Sequence, residues 1–220
     1  MGTWEQLIMY ISQNGSYIWI QFYHHFLMAA YGVLFAAIVS IPLGILIAKY
    51  GKLSGWVLAF SNIIQTIPAL GAMAVLMIVM GLGSETVVMT LFFYSILPIT
   101  QNTYVGLKEV DKTIIEAGYA SGMTRFQVLR MVELPLAISV IMAGLRTALV
   151  VGIGIAAIGA FVGAGGLGAI IIRGTNATDG TAIILAGAIP TAFMAILADL
   201  IMGWVERKLH PIKTSKPQTS

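Results

Sequence analysis

Apolar residues gather along this chain into five blocks, near 24–48, 57–80, 86–107, 136–163 and 181–204. Each is long enough to cross ~30 Å of hydrocarbon at ~1.5 Å per residue, so the pattern predicts membrane-spanning helices. One polar stretch, residues 108–135, interrupts the blocks and carries Lys108, Lys112, Glu116, Arg125, Arg130 and Glu133. Charges at that density belong in water between two spans. Within the stretch Asp111 can cap a short helix, Gly122 can supply its left-handed C-terminal residue, and Thr124-Arg125-Phe126-Gln127 reads as a capping box opening a second. That second helix is expected to stop at Leu134-Pro135, which gives a compact helix–turn–helix.

The ends differ in character. Residues 1–23 form an N-terminal interfacial segment in which Trp4, Leu7, Ile8 and Ile11 fall at helical spacing, as in an amphipathic helix lying on a membrane surface; a frayed terminus is the alternative. Tyr17, Trp19, Phe22 and Tyr23 suit an aromatic belt, and the absence of a basic start and a small-residue cleavage site argues against a removable signal peptide. A transmembrane body, 24–205, contains the polar loop, and residues 206–220 make a basic tail with Pro211 and Pro217, expected to be a disordered cytoplasmic end.

Composition removes the chain from the soluble class: 58% of its 220 residues are hydrophobic, 10% are charged, and the mean hydropathy is +0.91. The reading is an all-α polytopic membrane protein. With no cysteine, a disulfide framework, a thiolate metal site and a cysteine nucleophile are all excluded. The net charge of +3 encodes topology, not affinity for nucleic acid. Lys49, Lys52, Lys108, Lys112, Arg125, Arg130, Arg207, Lys208, Lys213 and Lys216 flank span ends on one side, against Arg173 on the other, which puts the N-terminus outside and the C-terminus inside.

Polar residues inside the spans are the candidate chemistry. Asn62, Gln65, Thr66 and Pro68 cluster in the second span, and Pro98, Thr100, Gln101, Asn102 and Tyr104 in the third, with Tyr94 on that span a further path candidate. Such groups must face protein or water, so they either line a path at a kinked helix or only hydrogen-bond helices together. Arg146 lies eleven residues past Pro135, roughly 16 Å into the fourth span. A charge there needs a partner, and Asp199 in the last span sits at comparable depth, which predicts an Arg146–Asp199 pair. His24-His25 is expected to be interfacial packing, since adjacent helical residues diverge and no third metal ligand is near. Gly163-Ala164-Gly165-Gly166-Leu167-Gly168 matches G-x-G-x-x-G without a preceding strand, so it reads as a place of close backbone approach. No Gly-Lys-Ser/Thr occurs, so the chain has no phosphate-binding loop and is not expected to hydrolyse ATP.

Glu116-Ala117-Gly118, then Gly122 after three residues, and Leu134-Pro135 after Val132, resemble the EAA loop of binding-protein-dependent ABC importer permeases. Gly118 replaces that family's third alanine and Val132 its usual isoleucine. The resemblance implies a type I importer permease fold with about five transmembrane helices, in which 108–135 is the coupling loop and Glu116, Ala117, Gly118, Gly122, Leu134 and Pro135 engage a cytoplasmic ATPase. It further implies an external substrate-binding protein, a second permease subunit, identical or homologous, and a multi-pass location in a prokaryotic cell membrane, with no cofactor, metal or catalytic residue. Gln65-Thr66-Ile67-Pro68-Ala69-Leu70, Thr103 to Asp111 and GAGGLG look most like the osmoprotectant branch, permeases for glycine betaine, carnitine and choline. Methionine permeases share the length and GAGGLG and are the alternative. In a different class, an ion-coupled secondary transporter would need an acid in the path, for which Asp199 is the candidate, and a scaffold would need no path.

Overall fold

The computed structural model describes residues 2–209, so most of the basic tail lies outside the described residues. Among them every regular element is helical: α1 (Thr3–Lys49), α2 (Ser54–Thr66), α3 (Ala69–Met80), α4 (Ser84–Lys108), α5 (Lys112–Ala120), α6 (Arg125–Val128), α7 (Leu134–Ile158), α8 (Leu167–Thr175) and α9 (Thr181–Leu209). The apolar blocks each map onto helices, but not as five equal spans. By length and apolarity, three helical segments can cross a membrane, α1, the continuous 125–162 segment and α9, or four if the bent α2–α3 pair counts as one. The helix at the centre, α4, is long enough at 25 residues but buries Thr86, Thr90, Ser95, Thr100 and Thr103 on its inner side. It packs between α1 and α7, and two of its buried hydroxyls turn on its own carbonyls, Thr90 on Thr86 and Thr103 on Ile99, while Thr86 reaches back to the Gly81 carbonyl and Thr100 Oγ1 has no hydrogen-bond partner among the described residues.

Three local readings change. No break occurs between residues 23 and 24: α1 runs from the N-terminal segment straight into the first span. The one non-helical residue is Asn14, whose amide donates back to the Tyr10 carbonyl, and Leu7, Tyr10 and Tyr17 belong to the core that α1 shares with α7, α8 and α9. The second block is broken more than kinked, with α2 and α3 meeting at 93°. Pro68 has no amide to continue the ladder, and Ile67 before it is extended, as residues preceding proline are. Finally, Leu134-Pro135 does not end a helix. Residues 129–133 form a π-turn in which the Leu134 amide reaches the Leu129 carbonyl, and the wider turn takes up Pro135's missing donor and bulky ring without a stop.

The glycine-rich turn after α7 is pinned to the bundle by a side chain read from sequence as interfacial. His25 is fully buried; its Nε2 donates to the Ile153 carbonyl at 2.9 Å, which leaves Nδ1 to accept the Leu167 amide at 3.2 Å. Gly166, at φ 71°, lies so close that a Cβ there would stand 3.1 Å from the imidazole.

Candidate functional site

Two proline breaks meet between α2 and α4. Pro98 has no amide, so the carbonyl of Tyr94, four residues earlier, loses its helical donor. Gln65 Nε2 takes that role, donating to the Tyr94 carbonyl at 2.8 Å. In return the Tyr94 hydroxyl donates to the carbonyl of Ile67, beside the Pro68 break. In this clasp Gln65 serves the carbonyl that Pro98 frees inside α4, and Tyr94 serves the carbonyl of Ile67, where the chain leaves α2 and turns extended before Pro68.

This clasp forms one end of an open cleft of about 290 Å³ between α2, α4 and α7. Gln65, Tyr94, Gln101 and Asn102 line it, together with Ser95 and Thr147, which the sequence did not single out. Asn62, Thr66 and Tyr104 do not. Asn62 donates to Leu58 and Thr66 to Ile63, bonds internal to α2. The cleft depends on a close crossing of α4 and α7, because a Cβ on Gly144 would fall 2.8 Å from the Pro98 carbonyl oxygen and 2.7 Å from Asn102 Cβ.

Thr147 and Val151 also line a second open space of about 370 Å³, which ends on Arg146, Asp199 and Glu206. Arg146 donates to Asp199 twice, through Nε and Nη2, each at 2.6 Å, in a bidentate fork between α7 and α9. Glu206 accepts from Nη1 at 3.3 Å and was not anticipated. The signal was available: it lies seven residues after Asp199, two turns along the same helical face. One arginine against two carboxylates leaves the cluster net negative.

The polar loop is built as its residues dictate. Asp111 accepts the Thr113 amide at 2.8 Å, Thr124 and Gln127 close a reciprocal capping box, and Gly122 has φ 83°. The amide of Met123 reaches the Gly118 carbonyl, closing the end of α5. Glu116, Ala117 and Gly122 are exposed, whereas Gly118 is buried against Val128 and Val132. A Cβ at Gly118 would meet nothing nearer than 3.4 Å, so the alanine usual in the EAA pattern fits there. Leu134, half-buried, packs into the cluster of Leu107, Val110 and Ile115, and Pro135 is exposed at the start of α7, just after the π-turn.

Residues 40–211 match the family described as the binding-protein-dependent transport system inner membrane component. The chain belongs to that family. It is a membrane-embedded subunit of a transport system, and the matched region takes in the cleft, the loop and the Arg146 cluster. It is 68% identical over 216 residues to the glycine betaine/carnitine/choline transport system permease protein OpuCD of Bacillus subtilis, covering 98% of this chain and 94% of that one. It is 64% identical over 220 residues to the carnitine transport permease protein OpuCD of Listeria monocytogenes, covering 100% and 99%. To OpuCB, another glycine betaine/carnitine/choline permease protein of B. subtilis, it is 39% identical over 94% and 95% of the two chains. Among solved structures it superposes on a chain of the MetNI methionine ABC transporter, in an inward-facing conformation, with a TM-score of 0.79, covering 87% of this chain and 95% of that one. At 22% identity that likeness establishes the fold and nothing about substrate.

Proposed function

We propose that this chain is the permease of an ATP-driven importer for quaternary-amine osmoprotectants such as glycine betaine, carnitine or choline. The observation that carries the reading is identity of 64% or more, across almost the whole chain, to permeases whose names specify those solutes. The cleft chemistry agrees with it. A quaternary ammonium keeps its charge at every pH, so a path for it needs neutral dipoles and aromatic faces and has no use for a proton relay; Gln65, Tyr94, Gln101 and Asn102 supply the former and Tyr94 the latter. Asn62 and Thr66 remain candidates only for a state in which the bent α2–α3 pair rearranges, and Tyr104 only for one in which α4 turns it toward the cleft.

ATP is hydrolysed by separate cytoplasmic subunits, which dock on the exposed face of Glu116, Ala117 and Gly122, with Gly118 and the Leu134-Pro135 turn holding that face in place. Solute is delivered by a binding protein on the outer side, and the path alternates its opening between two permease subunits. The N-terminus lies outside and the C-terminus in the cytoplasm, a reading supported by Lys49, Lys108, Lys112 and Arg125, which gather around one cavity at the loop end of the bundle. A homologous second permease is favoured over an identical one, since B. subtilis has both OpuCD and OpuCB under one transport-system name and this chain resembles the former far more. Asp199, committed to Arg146, is poorly suited to carry protons, which weighs against an ion-coupled carrier.

The test is uptake of radiolabelled glycine betaine, carnitine, choline and methionine in cells lacking other osmoprotectant importers, with the ATPase and binding-protein genes co-expressed, for wild type and Gly122→Asp. A Cβ at Gly122 meets nothing within 4 Å, but φ 83° strains any side chain there, so the variant is compared with wild type at equal membrane level and equal protease resistance of the loop. Quaternary-amine uptake lost in a variant that still reaches the membrane is the expected result. Methionine uptake would replace the substrate, and flux indifferent to Gly122→Asp would remove the docking role.

A further inference from the structure

A cavity of about 230 Å³ opens where α1, α4 and α5 meet the segment from α6 into the π-turn. Lys49, Lys108, Lys112 and Arg125 line it, against a single carboxylate, Glu133. All four cations are exposed, and the wall beneath them is apolar, with Leu107 and Val110 buried. Among the described residues none of the four forms an ion pair, since the ion pairs there all belong to Arg146. Asp111 spends its carboxylate on the Thr113 amide, Glu109 does not line the cavity, and residues 210–220 contain no Asp or Glu. Four cations against one carboxylate give the cavity a net positive field that favours an anion.

The position says which anion. Lys49 and Lys108 are the last residues of α1 and α4, so the cavity lies at the level where hydrocarbon gives way to water. A free phosphate would use the cations and leave the apolar wall unmatched. A phospholipid of negative charge uses both surfaces. We propose that this cavity holds the phosphate headgroup of an anionic phospholipid, with Lys49, Lys108, Lys112 and Arg125 as its ligands and the first acyl carbons against Leu107 and Val110.

Rebinding of phosphatidylglycerol and phosphatidylcholine to the delipidated full chain, followed by native mass spectrometry, tests this. The variant is Lys49→Gln with Lys108→Gln, and the control is Arg207→Gln with Lys208→Gln, which removes the same charge at another site. Phosphatidylglycerol affinity is expected to fall about fivefold for each cavity cation removed, and to be unchanged in the control. Glu133→Gln should tighten it, and Lys49→Arg with Lys108→Arg should keep it, so the outcome does not hang on one variant's folding. Equal phosphatidylglycerol binding by the variant and control pairs would overturn the proposal, as would phosphatidylcholine binding as tightly as phosphatidylglycerol. Inorganic phosphate displacing the lipid at equal concentration would make this a free-anion site instead. Loss of ATPase co-purification with lipid binding intact would assign the cations to protein docking.

Discussion

If Gln65 exists to serve the carbonyl that Pro98 orphans, its worth should depend on that proline. In the wild type, Gln65→Leu leaves the Tyr94 carbonyl without a donor. The net value of a neutral hydrogen bond is ~0.5–1.5 kcal/mol, and stranding a buried acceptor costs ~1–3 kcal/mol. Because the bond faces an open cleft, the lower part of the range applies, about 1 kcal/mol, in line with the ~0.6 kcal/mol average for bonds between membrane helices. Pro98→Ala restores an amide at position 98, aimed at the Tyr94 carbonyl by ordinary helix geometry. In that background Gln65→Leu should cost almost nothing, so the coupling energy of the pair should approach the whole of the single-variant loss. The assay is a double-mutant cycle on reversible unfolding in mixed micelles, with far-ultraviolet circular dichroism to check that helicity is kept. Additivity within ~0.3–0.5 kcal/mol would refute the clasp. A cost for Gln65→Leu that grows in the alanine background would refute it too.

Other consequences are as direct. Gly144→Ala should destabilise by ~1–3 kcal/mol and open the α4–α7 crossing, because the new methyl meets the Pro98 carbonyl oxygen at 2.8 Å; thermal unfolding in detergent reads the loss. His25→Leu keeps the volume but leaves the Leu167 amide without its acceptor, so a loss of ~1–3 kcal/mol and faster proteolysis at the glycine-rich turn are expected. In the Arg146 cluster, Asp199→Asn should lower membrane accumulation more than Glu206→Gln, since Asp199 makes both 2.6 Å bonds and Glu206 one at 3.3 Å; equal effects would show that the fork is not the principal contact. Because Arg146→Asp sets a second carboxylate against Glu206, swapping it with Asp199→Arg should recover fully only when Glu206→Gln is added.

The helical blocks, the polar loop and its caps were legible in the sequence because they rest on local rules. Hydropathy sets where a chain can cross a membrane, and Asp111, Gly122 and Thr124 act on backbone groups within a few residues of themselves. The pairing of Arg146 with Asp199 was anticipated from depth alone, since a charge in a span restricts its partners to few candidates. What local reading could not supply were relations across the bundle. Pro68 and Pro98 mark breaks in sequence, but only the packing of α2 on α4 brings Gln65 to the carbonyl that Pro98 frees and Tyr94 to the one beside Pro68. Asn62, Gln65 and Thr66 look alike in sequence, and helical phase together with the 93° bend sends one into the cleft and leaves two bonded within α2. His25 and His24 are adjacent and equivalent by composition, yet 100° of helix rotation buries the first against Ile153 and Leu167, residues more than 120 positions away. A polar side chain's type fixes which bonds it can make; which backbone group stands opposite it is decided only when distant helices meet.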